Sequence, residues 1–456
     1  MTDTALAPSE PTTDWADPTR PVPDLRTELP GPRTREIVAG DQAVTSPSLP
    51  RAYPFAPHRG RGCRIEDVDG NLFLDFNAGI AVNSTGHAHP EVVRAVQDQA
   101  ADLLHYSASD FFLPVYSQMC TALARTAPMS EPVRVFLTNS GAEAVEGALK
   151  LARYATKRPY VVSFYGAFHG RTMGAVSLTS SKPKYHQGFG PLLPGVIHVP
   201  YADPAKVAAG QDEQDTATFE ALETIFRHDV APSEVAAIFV EPIQGEGGYI
   251  VPGEGWMRRL RELCDEHGIL LIADEVQCGM GRTGTMWAIE QSGVEPDVLL
   301  SAKGIASGLP LGAFIARASL MESWGVGTHG STYGGSPVPC AAGLATLRVI
   351  ESESLLGHAR EVGDQLLTGL REIQAQHPDA VVDVRGVGLM IGVEFADGAL
   401  SGAVQQAAFE RGLLVLEAGE SVVRMSPPLV VTPEEARIGL RIFGEAVATA
   451  VADRQG

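Results

Sequence analysis

Short apolar runs, separated by polar loops and by stretches with helical spacing, recur along the middle of the chain. The clearest of them are VRVFLT, YVVSFYG, VAAIFVEP, ILLIADE, DVLLSAKG and LGAFIAR. Such nearly continuous hydrophobicity is typical of strands that are buried on both faces. The pattern therefore predicts an α/β fold, in which a mostly parallel sheet is sandwiched between helices.

Helical spacing is clearest directly after the first of these runs. In AEAVEGALKLARYA, the apolar residues Ala142, Val145, Ala148, Leu149 and Ala152 fall on one face of a helix. A second amphipathic stretch, WMRRLRELCDEHG, precedes the run ILLIADE. Strands that alternate with helices in this way are typical of parallel sheets with crossover connections.

Changes in this pattern predict four segments. Residues 1–50 carry nine of the 32 prolines and little periodicity, which predicts an extended or loosely attached N-terminal arm. Residues 51–90, with the strand-like CRIEDVDGNLFLDF, are expected to form the N-terminal part of a small domain. Residues 91–345 are expected to form a large, cofactor-binding domain, and residues 346–456 to form the C-terminal part of the small domain.

The last of these segments has the pattern of an α+β domain. A long helical stretch, LGHAREVGDQLLTGLREIQAQ, is followed by the strand-like VVDVRG and LMIGVEF. The final helix is predicted to begin at Thr432, because proline follows at position 433 and Glu435 completes a capping box.

Composition limits the partners of this chain. Its 456 residues carry a formal charge of −20 and a pI near 5.0, which argues against nucleic acid or an anionic membrane surface as a partner. No apolar run approaches the length of a membrane span, and the N-terminus lacks the features of a signal peptide. Five cysteines without a C-x-x-C pair predict reduced thiols and a cytoplasmic location.

Polar residues gather where the predicted strands end. The stretch EPIQGEGG supplies Glu241, Gln244 and Glu246, and ADEVQ supplies Asp274 and Gln277. In open α/β sheets, ligands bind outside the carboxyl ends of the strands. These side chains are therefore expected to meet in one site.

Three of the strand ends together indicate a pyridoxal phosphate site. Ser140, Gly141 and Ala142 are small residues at a helix N-terminus, where backbone N–H groups can bind a phosphate. Lys303 stands alone among small residues after an apolar strand, and burial there would favour its neutral, nucleophilic amine. The negative charge of Asp274 would suit the positively charged nitrogen of a pyridinium ring.

The glycines at positions 279, 281 and 284 suggest a different cofactor. They spell G-x-G-x-x-G after an apolar run, which is the fingerprint of a dinucleotide-binding turn and would indicate an NAD-dependent oxidoreductase. Two carboxylates, Asp274 and Glu275, precede the glycines where a pyrophosphate would approach, and no clear helix opens after them. This interpretation is therefore the weaker one.

The chain resembles the class III aminotransferases, pyridoxal-phosphate enzymes of fold type I, over roughly residues 50–450. The matching motifs occur in family order: NSGAEAVEGALKLAR, YGAFHGRT, EPIQGEGG, LIADEVQCGMGRTG, SAKGIASGLPLGA and GSTYGGSP. The glycine-rich turn is part of this family pattern. The resemblance thus implies pyridoxal 5'-phosphate rather than a dinucleotide.

The resemblance implies roles for the residues around the cofactor ring. Lys303 would bond covalently to the cofactor aldehyde and transfer the proton during the reaction. Asp274 would pair with the pyridine nitrogen, and Gln277 would reach the phenolic oxygen. Val276 and Phe168 would pack on the two faces of the ring.

The resemblance also implies where the phosphate binds and how the subunits assemble. Gly141 and Ala142 would donate backbone N–H groups to the phosphate, and Thr332 of a second subunit would complete its shell. The protein is accordingly expected to be a homodimer, or a larger homo-oligomer, with active sites at the interface.

Substrate choice rests on four residues. Arg171 matches the arginine that holds the distal carboxylate in 4-aminobutyrate aminotransferases, and Arg424 matches the one that holds an α-carboxylate. In that subfamily Glu246 neutralises the second arginine when an ω-amine is bound. Ile80 occupies a position that is aromatic in ornithine aminotransferases. Together they imply an amino donor such as 4-aminobutyrate and a keto acid acceptor, 2-oxoglutarate.

Two other activities on the same scaffold stay open. One is an ornithine- or acetylornithine-type aminotransferase. The other is an amino acid racemase or epimerase, since the stretch RGLLVLEAGESVVRMSPPL also resembles such relatives. His169 is interpreted as a packing or hydrogen-bonding residue rather than a catalytic one, and Arg282 as a residue that stabilises its turn.

Overall fold

A computed structural model gives the fold and describes residues 19–202 and 216–455. The strands are, in chain order, β1 (Pro57–Arg61), β2 (Arg64–Asp67), β3 (Leu72–Asp75), β4 (Val133–Thr138), β5 (Tyr160–Phe164), β6 (Val196–Val199), β7 (Val235–Val240), β8 (Leu270–Asp274), β9 (Val298–Ser301), β10 (Gly312–Arg317), β11 (Val381–Val387), β12 (Met390–Phe395), β13 (Leu413–Leu414), β14 (Leu416–Ala418) and β15 (Val422–Met425).

The helices surround three sheets. They are α1 (Pro32–Val44), α2 (Pro90–Asp102), α3 (Pro114–Thr126), α4 (Gly141–Thr156), α5 (Met173–Leu178), α6 (Ala217–His228), α7 (Trp256–His267), α8 (Ala318–Met321), α9 (Pro337–Ser352), α10 (Leu355–Gln376), α11 (Gly398–Glu410) and α12 (Pro433–Gln455). Within the residues that the structure describes, no helix is long and apolar enough to cross a bilayer.

The largest sheet has seven strands in the order β4-β10-β9-β8-β7-β5-β6. Its neighbours pair in parallel except at β10, which runs antiparallel to both β4 and β9. All six residues of β7 are buried, as expected for a strand covered on both faces. The predicted α/β fold with a mostly parallel sheet is therefore confirmed, with LGAFIAR as the one reversed strand.

This topology gathers the carboxyl ends of β4, β8 and β9 at one edge of the sheet. Helix α4 begins there, directly after β4, and its N-cap Ser140 accepts a hydrogen bond from the N–H of Glu143 (3.2 Å). Four of the five residues predicted for its apolar face, Val145, Ala148, Leu149 and Ala152, are buried. The helix N-terminus is thereby fixed beside the strand ends.

Two smaller sheets join the chain's beginning to its end. The sheet β11-β12-β15-β14 is antiparallel and packs with α10, α11 and α12 as an α+β unit. In the other sheet, β1-β2-β3-β13, Leu413 pairs in parallel with Leu74 of β3. Residues 57–75 are therefore tied to the C-terminal part of the chain.

The described part of the N-terminal segment differs from the predicted extended arm. Residues Pro32–Val44 form helix α1, and proline at its first turn is compatible with a helix start. Its N-cap is a glycine without a side chain, so the capping carboxylate comes from Asp69, which accepts the N–H groups of Arg33 and Thr34 (both 2.8 Å). The sequence pattern could not show a cap that lies so far along the chain.

The capping box predicted at the start of the last helix is present. Thr432 Oγ1 accepts the N–H of Glu435 (3.1 Å), and Glu435 Oε2 accepts the N–H of Thr432 (3.0 Å). Replacing Thr432 with alanine should lower the free energy of unfolding by about 1 kcal/mol, as for other N-cap threonines. Urea unfolding measures this loss.

The matched control for that experiment is Thr224→Ala in helix α6. The Thr224 hydroxyl is exposed in the helix interior and donates to the carbonyl of Glu220 (2.8 Å), so alanine should cost little there. Equal unfolding midpoints for the two variants would contradict a stabilising role for the cap.

Candidate active site

A cleft of about 460 Å³ opens at the carboxyl ends of the parallel strands. Much of the predicted site lines it, namely Ser140, Gly141, Ala142, Phe168, Arg171, Asp274, Val276, Gln277 and Lys303. These residues come from segments that are far apart in sequence, and the strand topology brings them together. The cleft thus lies outside the carboxyl ends of the strands, where open α/β sheets bind their ligands.

Lys303 follows β9 and begins a 3₁₀ turn, Lys303–Ala306. Its backbone has a φ of +47°, in the left-handed region that a residue with a side chain rarely adopts. Burial lowers the pKa of the Lys303 amine below its ordinary value; Glu246 and Asp274 oppose this shift, and Arg424 adds to it. The amine is therefore easier to deprotonate, as a nucleophile requires.

Asp274 ends β8 and is held from two sides. Its Oδ2 atom lies 2.7 Å from Nδ1 of His169, and its Oδ1 accepts the N–H of Val276 (3.0 Å). Since a carboxylate only accepts, the Nδ1 of His169 carries the hydrogen. The aspartate is thereby fixed in orientation, with only 3% of its surface exposed.

His169 belongs to the site more closely than the sequence indicated. Burial alone would lower the pKa of its ring, but the hydrogen bond and charge of Asp274, with the charge of Glu241, raise it above the ordinary value. Its Nε2 atom is buried without a partner among the described residues. The only signal in the sequence was its position after Phe168; no spacing connected it to Asp274.

Glu241, at the end of β7, supports the same wall of the cleft. Its carboxylate accepts the N–H groups of Phe168 (3.0 Å) and Gly245 (2.8 Å). The pKa of Glu241 is raised to about 7, mainly because the carboxyl group is buried. The charge of His169 opposes this rise, and the charge of Asp274 adds to it. This carboxyl group therefore fixes the backbone that carries Phe168.

The opposite end of the cleft is suited to an anion. Gly141 and Ala142 begin helix α4, where backbone N–H groups have no partner within the helix. A Cβ atom at Gly141 would lie 3.0 Å from a methyl group of Val276, so glycine keeps this corner open. Glycine there therefore leaves the N–H groups accessible to a phosphate.

Gln277 completes the polar lining. Its Oε1 atom is buried without a partner among the described residues, which leaves a polar atom for a ligand group. The anion site, the carboxylate of Asp274 and the amine of Lys303 suit the phosphate, the ring nitrogen and the aldehyde of the predicted cofactor, and the amide oxygen of Gln277 can accept from its phenolic hydroxyl. The residues present thus fit pyridoxal phosphate.

The predicted substrate residues lie in two groups. Arg171 is exposed at the mouth of the cleft and forms no ion pair with a carboxylate of the described residues. Arg424, in β15, is buried and pairs with Oε1 of Glu246. Burial would raise the pKa of Glu246, but the charge and hydrogen bond of Arg424 lower it below the ordinary value.

Four predicted residues lie outside the lining of this cleft: the ion pair of Glu246 and Arg424, and the separate residues Ile80 and Thr332. Ile80 is 42% exposed on a turn, Ala78–Ala81, and has a φ of +67°. Thr332 is exposed in the loop before α9. Their roles remain predictions, and Thr332 was assigned to the site of a second subunit.

The glycine-rich turn after β8 packs against the rest of the chain. Gly281 has a φ of +88°, and a Cβ atom there would lie 2.9 Å from Leu429. Arg282 is buried and donates to the carbonyls of Leu389 (3.2 Å) and Pro427. The turn is therefore filled by protein contacts, which contradicts a dinucleotide site and agrees with the structural role inferred for Arg282.

Comparison with known proteins agrees with this geometry. The 5-aminovalerate aminotransferase of Pseudomonas aeruginosa is 40% identical over 89% of this chain and 96% of its own length. The 4-aminobutyrate aminotransferase of Escherichia coli is 41% identical over 88% and 96%. An alanine/serine racemase of Pyrococcus horikoshii is 39% identical over 93% and 92%.

Solved structures and the family model lead to the same conclusion. The ornithine aminotransferase of Toxoplasma gondii, with partial occupancy of PLP at its active site, has a TM-score of 0.83 and 34% identity, over 93% of this chain and 96% of its own. The family model for aminotransferase class-III matches residues 47–447. The chain therefore belongs to the class III aminotransferases, enzymes that depend on pyridoxal phosphate.

Proposed function

We propose that this enzyme transfers the amino group of an ω-amino acid, 4-aminobutyrate, to 2-oxoglutarate. The observation that carries this proposal is the contrast between the two arginines. Arg424 is neutralised by Glu246, whereas Arg171 has no acidic partner among the described residues. A substrate with a single, distal carboxylate needs one free guanidinium and no second one.

In the donor half-reaction, Arg171 would bind the carboxylate of 4-aminobutyrate through its planar guanidinium. The ion pair between Glu246 and Arg424 would stay closed, since the reacting carbon bears no carboxylate. In the acceptor half-reaction, 2-oxoglutarate brings a second carboxylate. Glu246 would then release Arg424 to bind it, while Arg171 holds the distal one.

The remaining residues have roles that follow from their positions. Bound pyridoxal phosphate supplies the electron sink that makes the substrate's C–H bond acidic. Lys303 would hold the cofactor through its aldehyde, and its free amine would take the proton from the reacting carbon of the substrate. Asp274, which is oriented by its hydrogen bond with His169, would stabilise the positive charge of the ring nitrogen.

Side chains and backbone groups around these residues would hold the ring and the phosphate. Val276 and Phe168 line the cleft and are assigned to the two ring faces. Gly141 and Ala142 offer N–H groups to the phosphate, and the Gln277 amide is assigned to the phenolic oxygen. Together these contacts would fix the aldehyde within reach of Lys303.

A homodimer belongs to the same proposal. Several large apolar or aromatic side chains are exposed, namely Leu104, Tyr106, Phe111, Phe112, Val326 and Tyr333. The two loops that carry them meet, because the rings of His105 and Tyr333 lie 4.8 Å apart and the Ser109 hydroxyl donates to the carbonyl of Ser331 (2.9 Å). Exposed apolar side chains at one surface favour a protein interface. We assign this surface to a second copy, which would supply Thr332 to the phosphate, and we place the enzyme in the cytoplasm because its cysteines are unpaired.

The test is a donor panel with purified holoenzyme. Glutamate should form from 4-aminobutyrate and 2-oxoglutarate with a higher kcat/KM than from 5-aminovalerate, ornithine or N-acetylornithine. A higher kcat/KM with ornithine or N-acetylornithine would make that compound the donor in place of 4-aminobutyrate. No glutamate from any ω-amine would overturn the proposal.

The racemase of Pyrococcus horikoshii supports a second candidate activity, because its similarity to this chain is nearly the same as that of the aminotransferases. Incubation with L-alanine or L-serine, without a keto acid, separates the two. Formation of the D-enantiomer on a chiral column would establish racemisation. If the L-amino acid stays unchanged and glutamate forms from 4-aminobutyrate, transamination is supported and racemisation is not.

A further inference from the structure

Arg171 presents a structural problem for substrate binding. Its side chain is exposed, and no carboxylate of the described residues holds it. A free arginine side chain loses rotamer entropy when it becomes fixed on a ligand. A neighbouring group that fixes the guanidinium beforehand would therefore strengthen carboxylate binding.

Tyr185 lies in the position to do this. The guanidinium carbon of Arg171 is 4.1 Å from the centroid of the Tyr185 ring, whereas the ring of Phe168 is farther, at 5.7 Å. The Tyr185 ring in turn meets Phe168 edge-on, with centroids 5.7 Å apart and planes at 76°. The arginine thus rests on an aromatic surface that continues into the cleft.

Tyr185 is itself held in place. It ends a short 3₁₀ turn, Pro183–Tyr185, and only 8% of its surface is exposed. The next residue, His186, anchors the turn, because its Nε2 lies 2.9 Å from the carbonyl oxygen of Val176 and 2.6 Å from that of Thr179. The ring is therefore a rigid support rather than a mobile surface group.

The phenol has no charge to contribute at neutral pH. Burial raises the pKa of Tyr185 above its ordinary value, and Glu246 raises it further, while Arg171 and Arg424 lower it. The net shift is upward, so the hydroxyl stays protonated. The Arg171 guanidinium also reaches the hydroxyl oxygen as a hydrogen-bond donor. Tyr185→Phe, which removes the hydroxyl and keeps the ring, separates this contact from the one with the ring face.

We infer that Tyr185 is a specificity-determining residue that orients Arg171 toward the distal carboxylate of the substrate through a cation–π contact. This inference rests on the proposed function and deepens it. Tyr185 acts through Arg171, so it is a positioning residue. Its loss should weaken binding of the carboxylate with little change in the chemical steps.

The experiment compares Tyr185→Leu with Tyr185→Phe in the holoenzyme. A cation–π contact of this kind corresponds to about a 3- to 30-fold change in affinity. Tyr185→Leu should therefore raise the KM for 4-aminobutyrate by that factor and leave kcat within about twofold. Tyr185→Phe keeps the ring and should stay within about twofold of the wild type in both constants.

The chain contains a matched control. Lys157 Nζ lies 3.8 Å from the ring centroid of Tyr154, a similar contact on the surface of α4, away from the cleft. Tyr154→Leu removes that contact and should leave the KM unchanged. An equal rise in KM for Tyr154→Leu and Tyr185→Leu would overturn the inference.

Arg171→Met separates failure of the inference from failure of the proposed function. If Arg171→Met leaves the KM unchanged, the assignment of the carboxylate to Arg171 fails, and the inference fails with it. If Arg171→Met raises the KM but Tyr185→Leu does not, only the inference is overturned. In the Arg171→Met background, Tyr185→Leu should add nothing; a further rise as large as in the wild type would show a general structural effect.

Discussion

Replacement of Lys303 by alanine is expected to lower kcat for glutamate formation by at least about 10⁴-fold, because a positioned general acid and base alone contributes about 10²- to 10⁴-fold and the covalent step is lost as well. Lys303 is the buried amine of the cleft, and burial lowers its pKa. Steady-state kinetics with 4-aminobutyrate and 2-oxoglutarate measure the loss.

The same variant should still bind the cofactor. Gly141 and Ala142 stay in place at the start of α4, and the phosphate contacts do not depend on the lysine. Absorbance of the bound cofactor after dialysis tests this point. Lys150→Ala, which removes an exposed amine 3.0 Å from Nδ1 of His329, is the control and should keep full activity. Turnover by Lys303→Ala within about tenfold of the wild type would contradict the assigned role.

Replacement of Asp274 by asparagine is expected to lower kcat by about 10²- to 10³-fold, the usual effect of removing one preorganised electrostatic partner. The change is nearly isosteric, and the amide oxygen can still accept the hydrogen bond that Nδ1 of His169 donates. What disappears is the negative charge that would hold the protonated ring nitrogen, together with the acceptor for the N–H of Val276. The reaction should therefore slow although the site keeps its shape.

Asp383→Asn is the control for the aspartate variant. Asp383 lies on β11, where its Oδ2 pairs with Arg385 at 2.7 Å, and the same neutralisation there should leave kcat unchanged. Equal thermal midpoints for the Asp274 variant and the wild type would show that the loss is chemical. A kcat within about fivefold of the wild type would mean that the charge of Asp274 is not used.

The fold was predictable where burial dictates the sequence. The run VAAIFV is hydrophobic because both faces of β7 are covered, and the motif at Thr432 and Glu435 is local enough to be read from four residues. Helix α1 was missed for the opposite reason. Its cap is Asp69, whose connection to Thr34 exists only after the chain has folded.

The residues of the site also differ in whether the sequence alone indicates them. Lys303 and Asp274 could be identified because each follows an apolar strand in a family motif. His169 was left out, since its partner is 105 residues away and only the strand order brings them together. Tyr185 lies in the loop SKPKYHQ, where neither periodicity nor a motif indicates a buried ring.

The pairing of β13 with β3 has a consequence for synthesis of the protein. Leu413 meets Leu74, so the strand that completes this sheet is made long after its neighbour. At about 5 to 20 residues per second, a ribosome needs roughly 20 to 70 seconds to cover that interval. During that interval β3 has only β2 of its sheet beside it, so the stretch of its other edge that pairs with β13 stays unpaired on the nascent chain until β13 is made.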